Sequence, residues 1–200
     1  GHHKLVAYMS LKIGLELNLK KEQLRKLVFC SLIHDIGILY FDTKFDDILR
    51  QRENAEHAYV GYALLDNHFP FDGYSQILRY HHWDWNDMEH STLNYLSNVI
   101  NLADLTAHFM DRKENNILEH KVSIMDELAG YSINRINPEL FHTLKEIAKR
   151  ESFWLDAINE KSREEVIDEY VRNNLDFNLN LNQVLSISEI VGHIIDFRSP

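Results

Sequence analysis

Apolar positions recur along this chain at intervals of three and four residues, the spacing of one buried stripe on an α-helix. Leu5, Val6, Met9 and Ile13 fall on one face of a first helix, and Leu24, Leu27, Val28 and Leu32 on one face of a second. Gly37 interrupts that second run, and residues 41–54 are charged and irregular, with a short helix expected over 47–50. Helices are predicted over 55–67 and 75–82, separated by the chain-turning residues Pro70 and Gly73. Leu93, Leu96, Ile100, Ala103 and Ala107 then keep heptad-like intervals, with Asp104 beside the stripe. Further helices are predicted over 116–129, 138–158, 162–174 and 183–196. No strand is predicted, and seven glycines with three prolines are few enough for an all-α fold.

Length and charge narrow the function. A chain of 200 residues buries the core of one domain. With 31 acidic against 21 basic residues, a net charge of −10 repels the phosphate backbone of a nucleic-acid duplex. A small anionic substrate then needs local positive charge, such as a bound metal. The single cysteine, Cys30, rules out an internal disulfide, fits a reducing cytoplasm and reads as a small buried hydrophobe. No run approaches the roughly 20 apolar residues of a membrane span, and no signal-peptide pattern opens the chain. The expectation is a soluble, cytoplasmic protein with no membrane partner.

Against this apolar background, "SLIHDIGILY" sets a histidine and an aspartate side by side at the end of a core-facing run. Burying both costs several kcal/mol unless a partner meets them. Twelve histidines supply candidates: His57 near the start of one predicted helix, the pair His81-His82 at the end of another, and Asp104 inside a fourth. Imidazole and carboxylate groups projecting from several helices are the material of a metal site inside a bundle, and they suit iron, manganese, zinc or nickel. His68, His90, His108, His120, His142 and His193 read as ordinary. Trp83 and Trp85 can stack a nucleobase at the site mouth or simply pack against the bundle. Lys20, Lys21, Arg25 and Lys26 read as a solvated helix face.

The order of these motifs resembles the HD superfamily of metal-dependent phosphohydrolases, and within it the HD-GYP branch, whose members hydrolyse cyclic di-GMP. The resemblance runs from His2 to about Arg112: "HHKLV", then "LIHDIG", "HAYVG", "RYHHW" and "NLADLTAHF". It implies an HD-domain helical bundle over residues 1–160, followed by C-terminal helices over 161–200. It also implies two divalent transition metals, iron or manganese before zinc or nickel. One would be held by His2, His34, Asp35 and Asp104, and the other by His57, His81 and His82 with Asp35 as the bridge. His3 competes with His2 for its role. His34 and Asp35 would be catalytic, and the substrate a phosphate ester of a nucleotide or cyclic dinucleotide.

Two departures accompany the match. Ile38 stands where the branch has a lysine after "HDIG", and "HHWDWNDMEH" has neither the glycine nor the proline of the Gly-Tyr-Pro signature. "DGY" at residues 72–74 precedes the histidine pair instead of following it. Slow or absent turnover of cyclic di-GMP is therefore expected, and a regulatory or dimerisation module stands as the alternative to an enzyme. "SEIVGHIIDFRSP" resembles the lead-in helix of a complete HD-GYP domain, so a following domain of that kind is expected, as is an apolar final helix packed on the bundle, on a second copy in a homodimer, or on that domain.

Overall fold

The computed structural model describes residues 1–40, 55–68, 73–113, 116–174 and 180–198. Ten α-helices form among them: α1 (His2–Glu16), α2 (Lys21–Ile33), α3 (Glu56–His68), α4 (Tyr74–Arg79), α5 (Thr92–Asp111), α6 (Ile117–Ser132), α7 (Pro138–Ala148), α8 (Glu151–Ile158), α9 (Glu160–Asn174) and α10 (Leu181–Arg198). Short 3₁₀ turns follow α2 (Ile36–Tyr40) and α4 (Trp85–Asp87), and no strand occurs among the described residues. The all-α fold matches the expectation. The short helix expected over 47–50 and the turn at Pro70 lie outside the described residues. No described helix is long and apolar enough to cross a membrane.

The bundle is built around α1. A single apolar stripe is predicted there, yet Val6, Ala7, Tyr8, Met9, Leu11 and Ile13 are all fully buried. The reason is visible in "LVAYMSLKI", where polar residues are too sparse to make a solvent face; a helix apolar all round is enclosed by others. Here α2, α5, α7, α8 and α9 surround it. The second core helix, α5, starts at Ser91, whose side chain accepts from the Asn94 amide. Its buried polar residues brace the loops around it. Asn98 donates to the Arg135 carbonyl at 2.9 Å and accepts from the Asn137 amide at 2.8 Å. Asn137 in turn caps α7, accepting from the Glu139 amide, with Pro138 preset for the first turn.

The single helix expected over 138–158 is two, α7 and α8, broken at Lys149 and Arg150. In an unbroken helix Phe153 would point about 140° away from the stripe of Leu140, Leu144 and Ile147. The break turns Phe153 inward, where its ring stacks on Tyr8 of α1, and Trp154 beside it is buried as well. The Trp154 indole donates to the Ala148 carbonyl at 2.8 Å, satisfying one acceptor that the end of α7 leaves open. Tyr8 donates from α1 to the Phe153 carbonyl at 3.1 Å. At the C-terminal end, α9 packs on α1, and α10 packs on α3 and the Ile36–Tyr40 turn. Ile190 is buried, while Leu181, Val184 and Leu185 on α10 remain exposed.

Candidate metal centre

His34 and His81 each sit just past the end of a helix, and each uses the same local device. The Nδ1 of His34 donates to the Ser31 carbonyl at 2.8 Å, and that of His81 to the Leu78 carbonyl at 2.6 Å. A carbonyl oxygen accepts only, so Nδ1 holds a proton in both rings. Nε2 is then the free lone pair of the neutral ring, the arrangement that orients a metal-ligating imidazole. Both Nε2 atoms are buried and have no hydrogen-bond partner among the described residues. Leaving such an atom unsatisfied costs about 1–3 kcal/mol each.

These nitrogens face Asp35, which directly follows the end of α2. Asp35 Oδ2 is 3.3 Å from His34 Nε2, and Oδ1 is 3.3 Å from His57 Nε2 on the first turn of α3. His82 Nε2 lies 3.0 Å from His57 Nε2. On the other side, His2 Nε2 is 2.9 Å from Asp104 Oδ1, which lies 3.7 Å from His34 Nε2. Two groups result, each with its ligand atoms within 4.8 Å of one another: Asp35, His57, His81 and His82, and His2, His34 and Asp35. Asp35 belongs to both, with one oxygen toward each. All seven residues singled out from the sequence therefore stand in one cluster, drawn from α1, α3 and α5 and from the chain just past α2 and α4.

Glycine makes this convergence possible. A Cβ on Gly37 would stand 2.0 Å from the His57 carbonyl oxygen and 2.7 Å from the Gly61 amide nitrogen. No side chain fits there, so the turn after the His-Asp pair lies directly on α3 and brings Asp35 to His57. A third brace comes from α5, where Asn101 donates to the Trp83 carbonyl at 3.2 Å and fixes the chain leaving the histidine pair.

The electrostatics differ between the halves. Burial alone lowers the pKa of His34, but the Asp35 and Asp104 carboxylates outweigh it and raise the value to about 10. Burial raises the Asp104 carboxyl, yet the hydrogen bond from His2 and the charge of His34 beside it hold it well below the usual range. In the other half, burial and the neighbouring imidazoles push His81 well down, and burial lowers His82 to about 3. A proton on His34 thus offsets one of the two carboxylate charges beside it, while His81 and His82 present neutral lone pairs. Neutral imidazole nitrogens, buried carboxylates and no thiolate fit divalent transition ions, since Cys30 points to the Tyr74 carbonyl instead.

Two pairs that the sequence leaves open differ in their surroundings. His2 faces Asp104, whereas His3 is exposed with its ring 5.3 Å from that of His34. Trp85 is buried and stacks in parallel on His90 at 4.4 Å, so packing is its role; Trp83 is exposed. One acidic residue escapes the sequence reading: Asp111 Oδ2 lies 3.6 Å from His2 Nδ1. Its signal was the seven-residue interval from Asp104 on the same helix, which returns to the same face.

Along its whole length the chain is 22% identical, over 220 aligned positions, to a 3'3'-cGAMP-specific phosphodiesterase of Vibrio cholerae, covering 49% of that protein. The crystal structure of a cyclic GMP-AMP-specific phosphodiesterase of V. cholerae superposes with a TM-score of 0.72 at 15% identity, over 100% of this chain and 56% of the other. The chain thus spans about half the length of these relatives. The structural likeness establishes the helical fold, and the HD domain family model matches residues 1–131, the segment that carries every residue of the cluster. With that match over more than half its length, the chain belongs to the HD domain family.

Proposed function

We propose that this chain is a metal-dependent phosphodiesterase that hydrolyses a phosphodiester bond of a cyclic dinucleotide. The carrying observation is Asp35, whose two oxygens face two separate groups of buried imidazoles. In this reading His2, His34, Asp35 and Asp104 hold one divalent transition ion, and Asp35, His57, His81 and His82 a second. Iron or manganese suits this donor set best. Bound as a pair, such ions supply Lewis acidity to an attacking water and to the phosphoryl oxygens.

The chain's own contribution is positioning. The Ser31 and Leu78 carbonyls hold His34 and His81 with Nε2 directed inward, Gly37 holds Asp35 against His57, and Asp104 orients His2. His34 Nε2 gives up its proton when a cation takes that position. Beside the first group opens a cleft of about 360 Å³, lined by His2, His3 and Asp35 together with Leu32, Ile36 and Ile38. Ile38 adds no charge to this cleft. The names of the two relatives direct the choice of substrate toward 3'3'-cGAMP over cyclic di-GMP.

The test is chromatographic: metal-reconstituted protein is incubated with 3'3'-cGAMP and with cyclic di-GMP, and linear products are quantified. Cleavage of 3'3'-cGAMP that Asp35→Asn abolishes supports the reading. A regulatory role without turnover is the second reading, favoured by the uncharged Ile38 and by the missing Gly-Tyr-Pro signature. It takes over if fully metallated protein cleaves neither dinucleotide nor bis-(p-nitrophenyl) phosphate.

A further inference from the structure

Two tryptophans separated by one residue leave the histidine pair and meet opposite fates. Trp85 is 9% exposed and its face is taken by His90, whereas Trp83 is 44% exposed. Trp83 is nevertheless not loose. Its amide donates to the Tyr80 carbonyl at 3.0 Å, and its carbonyl accepts from buried Asn101 at 3.2 Å. The Tyr80 ring stands perpendicular to the indole, with centroids 5.1 Å apart, so it covers at most one indole face. Tyr80 is itself held by the Arg79 guanidinium, 5.3 Å above its ring and 4.9 Å from that of Tyr62. The outcome is a rigid aromatic step with one face open.

Its location gives the step a use. The residue before Trp83 is His82, whose Nε2 points into the cluster beside His57. Trp83 therefore directly follows a residue of the His57–His82 half, its Cα about 3.8 Å along the chain from that of His82. We propose that Trp83 is a substrate-positioning residue that stacks one nucleobase of the dinucleotide whose phosphate lies at the His57–His82 half. This assignment rests on the phosphodiester reading above. Planar, uncharged aromatic bases are the class that such a face takes, and stacking tolerates either purine.

Two probes separate this assignment from the reading beneath it: GMP, which has a base, and ribose 5-phosphate, which has none. Calorimetry on the Mn(II)-loaded chain is expected to show GMP binding more tightly than ribose 5-phosphate. Trp83→Ala then weakens GMP about tenfold, the size of one base–aromatic stack, and changes ribose 5-phosphate less than about twofold. Trp83→Phe retains most of the GMP affinity. Quenching of indole emission by GMP, lost in Trp83→Phe, reads the same contact should the alanine variant fail to fold. Ribose 5-phosphate binding with GMP no tighter, or equal weakening of both probes by Trp83→Ala, overturns the stacking role alone. Binding of neither probe to the wild-type chain overturns the phosphodiester reading and the stacking role with it.

Discussion

Replacing Gly37 with alanine adds one methyl group where the turn after the His-Asp pair meets α3. Its Cβ would stand 2.0 Å from the His57 carbonyl oxygen and 2.7 Å from the Gly61 amide nitrogen. Both are backbone atoms and neither can rotate away, so turn and helix must part by roughly 1.4 Å to restore contact near 3.4 Å. Asp35 Oδ1 and His57 Nε2 now lie 3.3 Å apart. The same displacement along that line takes them to about 4.7 Å, whereas two ligands at ~2.0–2.2 Å from one ion are at most about 4.4 Å apart. Gly37→Ala is therefore expected to fold, to lose about 1–3 kcal/mol as overpacked interiors do, and to keep the ion at His2, His34 and Asp35 while losing the other. Gly61→Ala is the milder comparison at the same contact, because its Cβ would meet the side-chain atoms Ile36 Cγ2 at 3.3 Å and Leu78 Cδ2 at 3.4 Å and the Gly37 amide nitrogen at 3.6 Å, an ordinary contact distance. Urea unfolding and elemental analysis of both variants read the outcome. Two ions bound at native affinity by Gly37→Ala, or identical losses in the two variants, refute the reasoning.

Acidity and packing supply further tests. Below about pH 6.5 the metal-free protein has the full stabilisation of protonated His34, and it loses this as pH rises toward the folded value of about 10. Acidification from about 6.5 toward 3 also destabilises, because the unfolded chain protonates His82 more readily than the folded one, whose value is about 3. Thermal unfolding in chelator is thus expected to peak near pH 6.5, with Mn(II) removing the alkaline slope; a flat profile from about pH 6.5 to 9.5 contradicts this. Trp154→Phe leaves the buried Ala148 carbonyl without its indole donor, so denaturant unfolding is expected to report a loss of about 1–3 kcal/mol with the metal content unchanged. A variant of unaltered stability removes that bond from the account of the α7–α8 break.

The helices and the clustered histidines were legible because each follows from local spacing. Asp35 reads as exceptional because it ends an apolar run, and His57, His81 and His82 because they recur beside apolar positions. What spacing does not carry is which faces meet. The enclosure of α1 depends on α2 and on four helices distant in sequence, and the division of 138–158 depends on an indole reaching back to a carbonyl six residues earlier. Gly37 reads as a helix breaker, although its larger effect is across space, at the His57 carbonyl. Trp83 and Trp85 look alike in sequence, and the packing of His90 and Tyr95 against Trp85 alone is a contact that spacing does not carry.

The central claim is that Asp35 joins two metal sites, and metal stoichiometry tests it most directly. After anaerobic reconstitution with Fe(II) or Mn(II) and removal of excess ion, elemental analysis is expected to find close to two ions per wild-type chain. His57→Ala should keep one, and Asp35→Ala should keep none, because both groups share that carboxylate. Loss of the same single ion from both variants would contradict the bridge, and a wild-type chain that binds no transition metal would contradict the account as a whole.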